Sequence, residues 1–193
     1  MNQATFASTD EQFRDLPLKK VVGKFATLCW LNELKINLEA KTIGDISSVI
    51  ETVAPWNKTS IQRRWRTYET GQHKPVNRVL DLAEKQVPGS TLIFRSPLWD
   101  ALRLDKSAIR VAKQLCGQTT KEGDELLEWL LDHRQTRKID GWLSKRCNAM
   151  VFHVSLERLA ILTLCMRLAR IKGMSQLTLM FYRYTTEIMI ILG

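Results

Sequence analysis

Thr59-Ser60-Ile61-Gln62-Arg63-Arg64-Trp65-Arg66-Thr67-Tyr68-Glu69-Thr70-Gly71-Gln72-His73-Lys74-Pro75 has both ends of a helix written into it. Thr59 is placed to accept the Gln62 amide while the Gln62 side chain reaches back, a reciprocal capping box. Gly71 supplies the left-handed residue that closes a helix. The spacing therefore predicts a helix from Ser60 to Thr70. Ile61, Trp65 and Tyr68 recur at i, i+4 and i+7 as one apolar stripe, while Gln62, Arg63, Arg66 and Thr67 project from the other sides. One face is built to pack and another to meet something acidic.

Working outward, the flanks also read as helices. Asp15 and Pro17 suit an N-cap and a first turn, followed by a stripe of Leu18, Val21, Val22, Phe25, Leu28, Cys29 and Trp30. Lys19, Lys20 and Lys24 lie off that stripe, either as a solvated face or against backbone phosphates. After a polar link over Asn37 to Lys41, Thr42 and Asp45 start a helix from Ile43 to Val53, with Ile46, Val49, Ile50 and Val53 inward. Beyond the central stretch, Pro75 begins a helix with Val76, Val79, Leu80 and Ala83 on one side. Val87-Pro88-Gly89-Ser90 is the clearest boundary.

From Trp65 to Pro75 the chain resembles the end of the recognition helix and the following turn of phage-repressor and Cro-type helix-turn-helix regulators. The resemblance rests on Trp65, the polar pair Arg66 and Thr67, then Tyr68, Glu69, Thr70, Gly71, Lys74 and Pro75. It departs from the family in a long, proline-containing turn, Ala54-Pro55-Trp56-Asn57-Lys58, and in the bulk of Trp65. The 3.6-residue apolar period and the boundary at Val87 to Ser90 predict an all-α chain with three parts, a flexible tail over 1–16, a domain over 17–87 and a helical domain over 90–193 for oligomerisation or partner binding; the resemblance implies that the second part is a helix-turn-helix DNA-binding domain. It implies that Ser60 to Thr70 enters the major groove of duplex DNA. There Gln62, Arg63 and Arg66 are candidates for base edges, because Gln pairs with adenine and Arg with guanine in bidentate geometry. Lys58, Thr59, Ser60, Arg64, Thr67, His73 and Lys74 are candidates for phosphate contacts. Tyr68 and Glu69 are then structural, with Glu69 holding a neighbouring group through a charge-assisted bond.

Composition agrees with a binding protein without choosing its partner. The 193 residues carry a net charge of +9, with 45% hydrophobic and 25% charged residues. A cation of this strength is drawn to nucleic acid, an anionic membrane or an acidic protein. Cys29, Cys116, Cys147 and Cys165 are widely separated, so neither a disulfide framework nor a zinc site is indicated. Cys147 with His153 is the nearest to a metal-binding pair. No cofactor is expected. No phosphate-cradling loop, dinucleotide fingerprint, His-Glu-x-x-His or Gly-x-Ser-x-Gly is present, so an enzyme is not expected. Met1 to Asp15 is polar and acidic, unlike a secretory leader, and Val151 to Ile171 is interrupted by four charges, so a cytoplasmic protein with no membrane span is expected.

The second half reads as helical too. Ser96-Pro97 opens one helix, Lys106 to Cys116 forms another closed by Gly117, and Thr119 with Glu122 is a capping-box candidate for a third, made strongly apolar by Leu126, Leu127, Trp129, Leu130 and Leu131. Asp124, Glu125 and Glu128 suit that third helix's dipole. Leu156 to Ile171 is apolar over most of its circumference and predicts a buried helix; Leu177 to Leu192 is compatible with helix or strand. Arg134, Arg137, Lys138, Lys145 and Arg146 surround Ile139 and Trp142, either as core with solvated cations or as a stacking surface for RNA. The leading expectation is a sequence-specific DNA-binding regulator, with a homodimer or protein partner held by the C-terminal region. The alternatives are an antitoxin-like or defence-system interaction protein on the same scaffold, and an RNA-binding accessory factor.

Overall fold

The computed structural model describes residues 18–51, 58–132 and 140–192. All regular structure among them is helical, as the 3.6-residue apolar period predicts. The chain divides into two compact units, the first ending at Arg95 and the second beginning at Ser96.

The first unit contains α1 (Leu18–Asn37), α2 (Ile43–Ile50), α3 (Lys58–Glu69), α4 (Asn77–Gln86) and α5 (Ser90–Phe94). Its centre is aromatic. The Trp30 and Trp65 rings stack at 5.8 Å, Tyr68 meets Trp65 edge-on at 5.7 Å, and Phe94 meets Trp30 at 6.3 Å. Ile46, Ile50, Val79, Leu80 and Ala83 complete the core from α2 and α4.

α1 is phased differently from the sequence reading. Its buried residues are Val22, Ala26, Thr27, Trp30, Leu31 and Leu34, whereas Phe25 and Cys29 are exposed. Trp30 accounts for the shift: a side chain of that size is seated first, and burying it selects 26, 30 and 34 over 25 and 29. The helix also runs on to Asn37, where Asn37 Nδ2 donates to the Glu33 carbonyl. Thr42 and Asp45 form the expected capping box, but α2 ends at Ile50 and Val49 faces solvent; Val53 lies outside the described residues. α4 starts at Asn77, not Pro75, and Val76 is exposed.

The boundary of the first unit falls later than Val87-Pro88-Gly89-Ser90. The Glu84 carboxylate accepts from the Gly89 amide at 2.7 Å, the Thr91 amide at 2.9 Å and the Thr91 hydroxyl at 2.7 Å, and so fastens α5 to α4. Phe94 then reaches the aromatic core, and a proline and glycine that look like a linker turn out to be a tight bend within one unit.

The second unit contains α6 (Leu98–Leu102), α7 (Ala108–Leu115), α8 (Lys121–Leu131), α9 (Asp140–Phe152), α10 (Leu156–Ile171) and α11 (Ser175–Leu192). α10 is its axis: Leu159 to Cys165, Leu168 and Ala169 are buried, as a helix apolar on nearly all sides requires. Leu177 to Leu192, compatible with either class by sequence, is helix, with Leu177, Phe181, Thr185 and Ile188 packed inward. The cap of α8 is Thr120, whose hydroxyl accepts from the Gly123 amide, rather than Thr119, whose hydroxyl donates to Asp124 at 2.9 Å. No helix among the described residues is long and apolar enough to cross a membrane.

Candidate nucleic-acid interface

α3 is positioned from its inner face. Trp65 and Tyr68 are fully buried, and the Trp65 indole N–H donates to Glu51 Oε1 at 2.6 Å. The same carboxylate binds the Arg64 guanidinium in an ion pair. Glu51, immediately after α2, therefore ties the end of one helix to the middle of the next. Burial pushes the Tyr68 phenol up from its ordinary value.

The helix closes as the sequence predicts. Gly71 takes φ +64°, its amide donates to the Tyr68 carbonyl at 2.9 Å, and the Gln72 amide donates to the Thr67 carbonyl at 2.9 Å, a Schellman pair. Its start differs. Lys58 and Thr59 are both already helical in α3, so Thr59 is not the cap and cannot form the capping box with Gln62.

With the inner face fixed, the outer face follows from the helical period. Thr59, Arg63, Arg66 and Thr70 are exposed at i, i+4, i+7 and i+11, with Ser60 exposed and Gln62 half-buried on the flanks. Arg63 and Arg66 form no ion pair or side-chain hydrogen bond among the described residues. Arg64 is different, being committed to Glu51, and the Thr67 hydroxyl donates to the Arg64 carbonyl at 2.6 Å. These two belong to the scaffold more than to the surface. Lys58 opens the helix, and its side chain lies outside the described residues. Glu69 is exposed and holds no neighbouring group among the described residues; there the carboxylate that makes a charge-assisted bond to α3 is that of Glu51.

His73 and Lys74 are exposed beyond the turn, and Lys74 leads into a feature that the sequence shows only in pieces. Lys20, Gly23 and Lys24 of α1 meet Gly71, Gln72 and Lys74 around a cleft of about 380 Å³. The Lys74 stem crosses α1 at Gly23, where a Cβ would lie 2.5 Å from its Cε. Lys24 lies across Gly71 in the same way. No acidic side chain among the described residues lines the cleft. Lys20, Lys24 and Lys74 bring three cationic side chains to one cleft, a setting that attracts an anion. Lys20 and Lys24 were legible only as off-stripe residues, because nothing in their spacing reveals a partner fifty residues away.

The RNA surface suggested by Arg134 to Arg146 is only partly described, since 133–139 lie outside the described residues. Within the rest, Trp142 packs on Trp129 at 6.0 Å, and Arg146 pairs with Glu125 at 2.5 Å. Cys147 is buried, with its thiol pushed up to about 12 by burial, whereas His153 is exposed, so the two do not form a site.

Compared with family models, with curated proteins and with solved structures, the chain matches none.

Proposed function

We propose that the first unit is a duplex-DNA-binding module of helix-turn-helix type, in which α2 supports α3 and α3 reads the major groove. The observation that carries this reading is the pair of exposed arginines, Arg63 and Arg66, which form no ion pair among the described residues, on a helix whose opposite face is locked into an aromatic core. Gln62, Arg63 and Arg66 meet base edges. Thr59, Ser60, His73 and Lys74 meet phosphates, and the lysine cleft extends that grip from Thr70, which belongs to both the outward stripe and the cleft rim. The whole is a regulator in which rigid packing aims a cationic face.

Selection of bound fragments from a random duplex pool tests the proposal. Enrichment of one motif is the expected result; a folded protein that retains duplexes without enriching any motif grips phosphate alone, and the reading of base edges is then abandoned. A second reading, an interaction protein, is favoured by exposed Met189, Ile190 and Ile191 at the end of α11. A chain that binds no duplex at low salt but elutes as a stoichiometric complex with a protein partner replaces the first reading with the second.

A further inference from the structure

The second unit holds a groove of about 540 Å³ between α10, α11 and the α6–α7 connection, a volume in the range of small-molecule sites. Its walls are apolar: Leu104, Met166, Leu179 and Tyr182. Two cations, Arg167 and Arg170, interrupt them. The Arg167 guanidinium spends Nη1 on the Ala101 carbonyl at 2.7 Å and Nη2 on the Lys106 carbonyl at 2.7 Å, both neutral acceptors. No carboxylate forms an ion pair with it among the described residues. Burial lowers its pKa from the ordinary value, and the field of the Asp105 carboxylate opposes that shift only in part. Arg170 is exposed on the same groove, and Ser175 brings in the first turn of α11, an eighteen-residue helix whose N-terminal amides and dipole also favour an anion.

An apolar trough with positive charge gathered at one place is complementary to a molecule with an apolar body and one negative end. We propose that this groove binds a small amphipathic carboxylate, its ring or short chain against Leu104, Met166, Leu179 and Tyr182 and its carboxylate held by Arg170 and the first turn of α11, within the field of Arg167. The proposal is independent of the DNA-binding reading, which concerns the other unit. For a regulator, such a site is where an effector would act.

The test is calorimetric titration of the full chain with 2-naphthoate, and with 2-naphthalenemethanol as its neutral counterpart. One 2-naphthoate per chain is expected, with the alcohol bound at least tenfold more weakly. Arg170→Gln, at an exposed position, is expected to weaken naphthoate about tenfold and leave the alcohol unchanged, while Leu179→Glu abolishes binding of both; melting curves of each variant establish that it is folded. Absence of saturable naphthoate binding to the folded chain overturns the proposal. So does equal binding of the two probes, or naphthoate binding that neither variant alters.

Discussion

Glu51 determines which arginines of α3 are available. Its carboxylate takes Arg64 and the Trp65 indole, and leaves Arg63 and Arg66 outward. Replacing it with Ala strands a buried indole N–H beside a half-buried guanidinium, and is expected to cost about 1 to 3 kcal/mol of stability, read as a lowered urea midpoint. Ala at Trp65 or Tyr68, both fully buried, is expected to cost about 3 to 5 kcal/mol. Ala at Arg63 or Arg66 should leave the melt unchanged and lose roughly 1 to 3 kcal/mol of discrimination between a selected site and a scrambled one. Equal weakening on both DNAs would show that these arginines only touch phosphate. The sequence made the two faces of α3 legible because a single helix fixes them by period alone. It hid the Glu51 bond, because residues 51, 64 and 65 meet only once α2 and α3 pack.

At the scale of elements, local signals located most of the helices and long-range packing corrected their edges. The Thr42–Asp45 box and the Gly71 closure were readable because cap chemistry is contained in four or five adjacent residues. The phase of α1 was not, since Phe25 and Trp30 compete for the interior and only the rings of Trp65, Tyr68 and Phe94 decide between them. Nor was the end of the first unit, because the bend at Pro88-Gly89 looks like a linker until Glu84 is seen to close it. Donors from Thr91 and Gly89 lower the Glu84 pKa from its ordinary 4.5 to about 2. A folded pKa below the unfolded one gives stability that is fully present above the unfolded value and is lost as pH falls through the folded value. The urea midpoint of the native chain should therefore exceed that of Glu84→Gln by a constant margin above about pH 5. That margin should shrink between pH 4.5 and pH 2. A margin that does not change across that window would mean that the carboxylate does not hold α5. Replacing Lys20, Lys24 and Lys74 with Gln, which keeps most of each stem, should weaken all duplexes alike. For every phosphate that is no longer neutralised, the log–log salt dependence should flatten by about 0.9.

For the whole molecule, net charge does not identify the DNA-binding unit. The chain up to Arg95 has 14 basic against 10 acidic residues, and the remainder has 15 against 10. What differs is arrangement: between residues 58 and 78 six basic residues accompany one acid, and Arg64 is held by Glu51 while Arg63 and Arg66 form no ion pair among the described residues; in the second unit Arg103, Lys106 and Arg146 are drawn into ion pairs. Each unit also has its own buried core, aromatic in the first and built around α10 in the second. The two proposed functions should therefore separate. Fragments 1–95 and 96–193 are each expected to melt cooperatively, because each keeps its core intact. Fragment 1–95 should enrich from a random duplex pool the same core motif as the full chain, and fragment 96–193 should enrich none while still binding 2-naphthoate. A full chain that selects two copies of a motif about one or two helical turns apart, where fragment 1–95 selects one, would assign the pairing of copies to the second unit. A fragment 1–95 that folds but enriches nothing, beside a fragment 96–193 that does, would move DNA recognition to the other half of the protein and return the arginines of α3 to an ordinary solvated surface.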